Sequence, residues 1–320
     1  MRERTAADDT AHRSATARGR PGELGVTSST CPVCGSDRTR PYKRRSVDRA
    51  LVPDDLRISD SRYGTTLALR RCRACGFLFA EGDEVAELVD LYARVSDPGY
   101  EESERARILQ MRWLLDRALR LAPRAISLLD VGAASGLLVE EAVRRGLDAV
   151  GVEPSLALAD RARQRGVEMV HGAFPTPALA ERRFDVVCLV DVLEHVADPV
   201  ALLRGCREAL APDGVVILVT PDVGSVAARI LRRRWWHFRL AHVGYFDRRS
   251  LVAATSAAGL SWVDEGRARW FLPLGYLAER LLALAGRSPS KRPGVTRRLD
   301  GWTIPLDLRD SFVVALKRRA

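Results

Sequence analysis

Two five-residue stretches, CPVCG and CRACG, hold four of the six cysteines of this 320-residue chain. They set Cys31 with Cys34 and Cys72 with Cys75, each pair in a C-x-x-C turn closed by glycine. That spacing aims both thiolates of a turn at one ion, and two such turns supply the four sulfurs of a tetrahedral zinc site. The 37 residues between the pairs exceed the compact pattern, but a ribbon hairpin fills that length. Two disulfides or a redox pair are the competing readings. A reducing compartment opposes the first, and the repetition of the pair opposes the second. Cys188 and Cys206 stand apart, in strand-like and helix-like runs, and are expected to be ordinary core residues.

A second set of candidates surrounds LLDVGAASG, residues 128–136. An apolar run reaches Asp130 and enters a small-residue loop with Gly132, Ala134 and Gly136. Such a loop lets backbone approach a nucleotide. A dinucleotide fingerprint requires G-x-G-x-x-G, and here Ala134 and Leu137 stand where its later glycines would be. The P-loop pattern also fails, because no Lys-Ser/Thr pair follows. A nucleoside without phosphates asks only for close approach at the turn, which one methyl at Ala134 leaves possible. Glu153, in DAVGVEPS, ends the next apolar run, where a carboxylate accepts hydrogen bonds from ribose hydroxyls. Its competing role is to open the following helix before Pro154 and Ser155. His195, in DVLEHVADP, follows a third apolar run, and an imidazole there suits proton acceptance near neutral pH. Alternatively, Glu194 and His195 order the loop before Pro199.

These residues need a scaffold, and the pattern around them supplies one. Strands are expected over 125–130, 148–152, 184–190 and 215–220, with a short one at VEMV. Helices are expected over 136–145 and 155–165, ended by Gly146 and Gly166, and at PVALLRGCREAL. A PDG turn leads into the strand at 215. Strand–helix alternation with short loops predicts an α/β fold, an open parallel sheet covered on both faces. Upstream, apolar residues at 108, 111, 115, 118 and 119 predict a connector helix that Pro123 stops. Downstream come a helix over 248–258, a strand over 261–270, a helical insertion over 273–286 and a last strand in RDSFVVALKRR.

The motifs LLDVGAASG, DAVGVEPS, HGAF, FDVVCLVDVLEHVADP and APDGVVILVTP, in this order, resemble the class I S-adenosylmethionine-dependent methyltransferases. The resemblance covers about residues 100–320. It implies a Rossmann-like seven-stranded sheet, and with the four-cysteine ribbon it is similar to a subgroup associated with sugar, polysaccharide or natural-product methylation. Carried over, it implies that Asp130, Gly132, Ala134 and Gly136 hold the methionine end of S-adenosylmethionine and that Glu153 holds the ribose. Ala173 and Phe174 would lie against the adenine, although the acid often found near that point is absent here. Asp191 and Val192 would flank the sulfonium. The loop then fits a cofactor with no phosphate to cradle.

Methyl transfer to a hydroxyl needs alignment and a proton acceptor. His195 is the expected base, with turnover rising through roughly pH 6–7 as an ordinary imidazole titrates, and His242 is its rival. Asp222 and the segment RRRWWHFRLAHVGYF, with Trp235, Trp236, His237, His242, Tyr245 and Phe246, are expected on the acceptor side. Trp235 has core packing as its competing role. Tyr92 and Tyr100 either close the cofactor pocket or anchor the connector. The expected acceptor is a small molecule: a sugar, a nucleotide-sugar or a secondary metabolite. RNA methylation is the competing function, since a ribbon and a formal net charge of +10 suit RNA. Few ribbon aromatics for base stacking and no Asn/Asp-Pro-Pro-Tyr-like run oppose it. The expected organisation is a disordered tail over 1–28, a zinc ribbon over 29–82, a helical connector over 83–122 and a methyltransferase domain over 123–320. No apolar run of 18 residues and no apolar leader are present, so a cytoplasmic protein without a membrane partner is expected.

Overall fold

The computed structural model describes residues 30–57, 62–82, 84–97, 104–275, 277 and 302–319. The expected tail, Tyr100 and most of the helix expected over 273–286 lie outside these residues. The N-terminal part carries strands β1 (Thr39–Lys43), β2 (Leu69–Cys72) and β3 (Leu78–Ala80). Helices α1 (Glu84–Ala93) and α2 (Glu104–Leu121) follow. Helix α2 buries Ala106, Gln110, Leu114, Leu115 and Ala118, a stripe at three-to-four-residue spacing, and ends just before Pro123.

The alternating region follows the expected order: β4 (Ser127–Val131), α3 (Leu137–Arg144), β5 (Asp148–Glu153), α4 (Leu156–Gln164) and β6 (Glu168–His171). Then come β7 (Phe184–Val190), α5 (Pro199–Ala209) and β8 (Leu210–Pro221). Strand β8 starts earlier than expected, because Leu210 already pairs with Phe184 and a register shift takes up the chain before Val215. After β8 run α6 (Val226–Leu231), β9 (Gly244–Tyr245), α7 (Arg248–Ala257) and β10 (Leu260–Arg267). The strand expected to reach 270 leaves the sheet at Arg267. Trp270 opens β11 (Trp270–Pro273), which pairs with β12 (Thr303–Leu306) as a separate hairpin. The last strand is β13 (Ser311–Arg318).

The main sheet has seven strands in the order β10-β13-β8-β7-β4-β5-β6. Strands β4 to β8 are parallel, while β13 runs antiparallel to both β8 and β10. This is the seven-stranded Rossmann-like arrangement, with a switch point between β4 and β7, the place where such sheets bind ligands at their carboxyl edge. The second sheet joins the N-terminal part to the segment after β8, because β3 pairs with β9 through Leu78↔Tyr245 and Phe79↔Gly244. Phe77 stacks against Phe246 with centroids 4.6 Å apart. One apolar cluster therefore runs from Cys31, Val33, Cys72 and Cys75 through Phe77 and Phe246 into the main sheet.

Candidate active site

The loop after β4 is shaped by left-handed backbone. Gly132, Ala134 and Gly136 all have positive φ, at 73°, 47° and 78°. A Cβ at Gly132 would lie 2.6 Å from Cγ2 of Val192, so glycine is required there by packing as well as by φ. Ala134 adopts a conformation that alanine disfavours by about 1–2 kcal/mol. Its compensation is on the neighbouring strand: the Ala134 amide donates to Oε2 of Glu153 at 2.9 Å. The other oxygen, Oε1, accepts from the Ser155 amide at 2.7 Å. Ser155 caps α4 by accepting from the Leu158 amide and donates its hydroxyl to the Val95 carbonyl at 3.0 Å, tying the chain after α1 onto the site. Glu153 thus joins the loop, the helix start and the sheet edge, which is the helix-opening role considered for it. Two amides use half of the lone pairs of its carboxylate, which leaves acceptor capacity for ribose hydroxyls.

Asp130 is buried at the end of β4 beside Glu153. Burial, and then the charge of Glu153, push its carboxyl up to about 8. Burial pushes Glu153 up to about 7, against the pull of its two amide donors. Asp191 follows β7 with φ of 54°, a region that aspartate tolerates, and burial raises it to about 6. His237, Arg107 and Arg239 pull it back and Asp310 pushes it further up, so these groups surround the same point. Val192 packs on Gly132, so residues 191–192 bridge the loop to the far side of the edge. Beyond β6, Ala173 is exposed and the half-buried Phe174 ring lies against Gly205 of α5.

The two expected bases are brought together. The rings of His195 and His242 meet edge-on with centroids 4.6 Å apart. With Glu194 they set ligand-type atoms within 4.8 Å of one another. Burial and nearby groups change what they can do. His195 has its Nδ1 2.8 Å from the Ala241 carbonyl, and burial pushes its imidazole down to about 4. Its titration therefore lies well below the neutral range expected from the sequence, and a rate rising through pH 6–7 is not the signature of His195. Burial pushes His242 well below an ordinary imidazole as well, helped by the charges of His195, Arg239 and His237. Glu194 accepts from the Thr220 hydroxyl at 2.9 Å, and its carbonyl accepts from the Val243 amide at 2.8 Å. The segment LEH is thus the clamp between β8 and the chain entering β9.

The aromatic segment is mostly core. Trp235, Tyr245 and Phe246 are fully buried, and Trp235 packs with Phe238 and Leu240 in a cluster shared with β2 and β3. Tyr92 joins that cluster from α1, in the anchoring role considered for it. Only Trp236 and His237 of the six candidates keep partial exposure. Asp222 is engaged within the protein: its Oδ1 accepts from the Gly224 amide at 2.8 Å and its Oδ2 from Arg267 at 2.6 Å. Sequence reasoning missed Asp310. Its Oδ2 accepts from Trp236 Nε1 at 2.7 Å and faces His237 Nε2 at 3.2 Å. The available signal was an acid directly ahead of the unbroken apolar run of β13.

At the other sheet, four free thiols converge. Sγ atoms of Cys31 and Cys75 are 3.6 Å apart, as are those of Cys34 and Cys72, and all four lie within 4.8 Å of one another. A disulfide needs about 2.05 Å, whereas zinc–sulfur bonds of about 2.3 Å in a tetrahedron put sulfurs about 3.8 Å apart. The donor set fits zinc.

A model of the methyltransferase domain family matches residues 103–265, about half of the chain. The chain is 31% identical over 215 residues to a ubiquinone biosynthesis O-methyltransferase of Cereibacter sphaeroides, covering 64% of this chain and 78% of that protein. It is 33% identical over 120 residues to the enzyme of that name from Acinetobacter baumannii, covering 35% and 50%. A solved structure from Thermotoga maritima, described as a possible histamine N-methyltransferase, overlays with a TM-score of 0.46 at 18% identity, covering 74% of this chain and 100% of that one. Fold, edge and loop define the class I architecture. The chain belongs to the S-adenosylmethionine-dependent methyltransferases. Among the described residues no helix is long and apolar enough to cross a membrane.

Proposed function

We propose that this enzyme transfers the methyl group of S-adenosylmethionine to a hydroxyl of a small molecule, such as a sugar, a nucleotide-sugar or a secondary metabolite. The observation that carries the reading is the loop bound by its own strand neighbour: Ala134 held by Glu153, and Gly132 closed on Val192. Asp130, Gly132, Ala134 and Gly136 would receive the methionine end, and Glu153 the ribose. Ala173 and Phe174 would border the adenine, and Asp191 and Val192 the sulfonium. The curated relatives, O-methyltransferases of ubiquinone biosynthesis, support a small hydroxylated acceptor. The half-buried His195 and the buried His242 would order the acceptor side, with burial lowering the proton affinity of both. Cys31, Cys34, Cys72 and Cys75 would hold one structural zinc in a ribbon over 29–82, joined by the connector over 83–122 to a catalytic domain over 123–320. A cytoplasmic location suits the reduced thiols.

The test is calorimetric titration with S-adenosylhomocysteine. Micromolar-scale binding, roughly 8 kcal/mol, is expected, with Glu153→Ala weaker by about 1.5–3 kcal/mol. Tight binding of NAD and none of S-adenosylhomocysteine would sink the reading.

A further inference from the structure

We infer that His237, held by Asp310, is the group that takes the proton from the hydroxyl being methylated. The inference rests on the hydroxyl-methylation reading above and names the base of that site.

The topology explains how an acid so late in the chain reaches the reaction edge. Strand β13 is antiparallel, so its first residue lies where the parallel strands end. The pairing Ser311↔Pro221 sets Asp310 beside the end of β8, and the Asp310 carbonyl accepts from the Asp222 amide at 2.7 Å. The Asp310 side chain is completely buried, yet its two partners through Oδ2 are the indole of Trp236 and the imidazole of His237. Oδ1 has no hydrogen-bond partner among the described residues. A buried carboxylate facing an imidazole nitrogen is stabilised when that nitrogen carries the proton. Nε2 of His237 is therefore the N–H side, and Nδ1 is left with its lone pair. A carboxylate behind one ring nitrogen orients the ring and stabilises the imidazolium formed when the other nitrogen accepts a proton.

Comparison among the histidines selects this one. His195 pairs through Nδ1 with a carbonyl rather than a carboxylate and burial lowers its proton affinity, and His242 is buried at 5% exposure. His171 ends β6 with Nε2 3.1 Å from the Pro154 carbonyl. His12 lies outside the described residues. His237 has a carboxylate partner and keeps 15% of its side chain exposed, so an acceptor can reach it and a proton can leave. Its position is also right: of the charged groups acting on Asp191, His237 exerts the strongest pull. Asp191 precedes Val192, which packs on the loop glycine. Asp310, beside the end of β8, thus sets His237 at the same carboxyl edge of the sheet as residues 191–192 and the loop they pack on. The titratable groups that act with the imidazole are Asp310, His242 and Asp191.

The step balances. The hydroxyl oxygen uses a lone pair to form the new bond to the methyl carbon. The carbon–sulfur bond breaks with its pair left on sulfur, which becomes a neutral thioether. The hydroxyl proton moves to Nδ1 of His237, giving an imidazolium beside Asp310, and then passes to solvent at the exposed edge.

The experiment compares wild type, His237→Gln and Asp310→Asn in three readouts. Calorimetry with S-adenosylhomocysteine should give affinities within about twofold of one another. Methylation of the probe 3,4-dihydroxybenzoate should fall about 10²–10⁴-fold in kcat for His237→Gln. Asp310→Asn should lower kcat at least about tenfold, because an asparagine amide can present N–H to Nε2 and turn the ring tautomer. Nitrogen NMR of histidine in the S-adenosylhomocysteine complex should find His237 as the Nε2–H tautomer in wild type and not in Asp310→Asn. If the probe is not turned over, this spectrum decides alone. An Nδ1–H tautomer in wild type, or wild-type turnover by His237→Gln with the cofactor product still bound, overturns the base. Absence of S-adenosylhomocysteine binding in wild type strikes instead at the cofactor reading.

Discussion

Replacing Glu153 by glutamine isolates the group at the centre of the cofactor loop. The wild-type carboxylate is inaccessible to solvent and receives two amide N–H groups, from Ala134 at 2.9 Å and Ser155 at 2.7 Å. Glutamine keeps the shape, and its carbonyl retains one N–H. Its NH2 then confronts the other, leaving one buried donor without an acceptor at about 1–3 kcal/mol. The charge works in the opposite direction. Burial raises the Glu153 carboxyl from 4.5 to about 7, so the folded chain holds a proton that the unfolded chain has released. For an acid raised in this way, the stabilising contribution is complete below about pH 4.5 and is lost as pH rises through about 7. Two and a half pH units at about 1.4 kcal/mol each make that loss about 3 kcal/mol. Wild type should therefore exceed Glu153→Gln in stability by a few kcal/mol at pH 5. The gap should shrink by about 3 kcal/mol toward pH 8 and end near zero. Urea denaturation of the ligand-free proteins at pH 5, 6, 7 and 8 measures it. The difference between the two proteins cancels the titration of other groups, except Asp130, whose carboxyl Glu153 itself pushes up. A gap that stays constant with pH would refute the account of Glu153 as a buried, proton-holding acid.

Three further outcomes are expected. Elemental analysis should find one zinc per chain, lost in Cys31→Ser along with folding energy of the ribbon; four titratable thiols and no zinc in wild type would contradict the thiolate site. Gly132→Ala should weaken S-adenosylhomocysteine at least about tenfold, from the left-handed backbone and the Val192 contact together, with part of the loss recovered in Gly132→Ala/Val192→Ala. Unchanged affinity in the single variant would reject the close approach. His195 is lowered by burial, so its contribution to stability is present above about pH 6.5 and is lost as pH falls through about 4. His195→Ala should therefore lose less stability than wild type on acidification across that window, measured by thermal unfolding, and a parallel loss would show that His195 is not held neutral.

What could be read in the sequence and what could not divide along local and non-local lines. Strands β4, β5 and β7 are short apolar runs between turn residues, so their own residues announce them. The cysteine turns are equally local, and the fold sets their four sulfurs within 4.8 Å of one another. The environment of His195 is different: the carbonyl that holds Nδ1 belongs to Ala241, which reaches it only because the chain folds back before β9. The same return buries Trp235, Tyr245 and Phe246 against the ribbon strands, which turned a segment expected to face the acceptor largely into core. Asp310 was missed because its place depends on the register of an antiparallel strand, Ser311 against Pro221, which spacing alone does not give.

The pairing of β3 with β9 has a consequence for biosynthesis. Phe79 waits for Gly244, roughly 165 residues later in the chain, before its strand gains a second neighbour. Synthesis runs from the N-terminus, at about 5–20 residues per second, so the ribbon leaves the ribosome with an open edge for roughly ten to thirty seconds. An unsatisfied edge bordered by Phe77, Leu78 and Phe79 is a template for pairing with another nascent chain. If the cysteine turns take up zinc as proposed, early capture would hold β2 and β3 in register during that interval, and zinc supply at the time of translation would then set how much chain escapes aggregation.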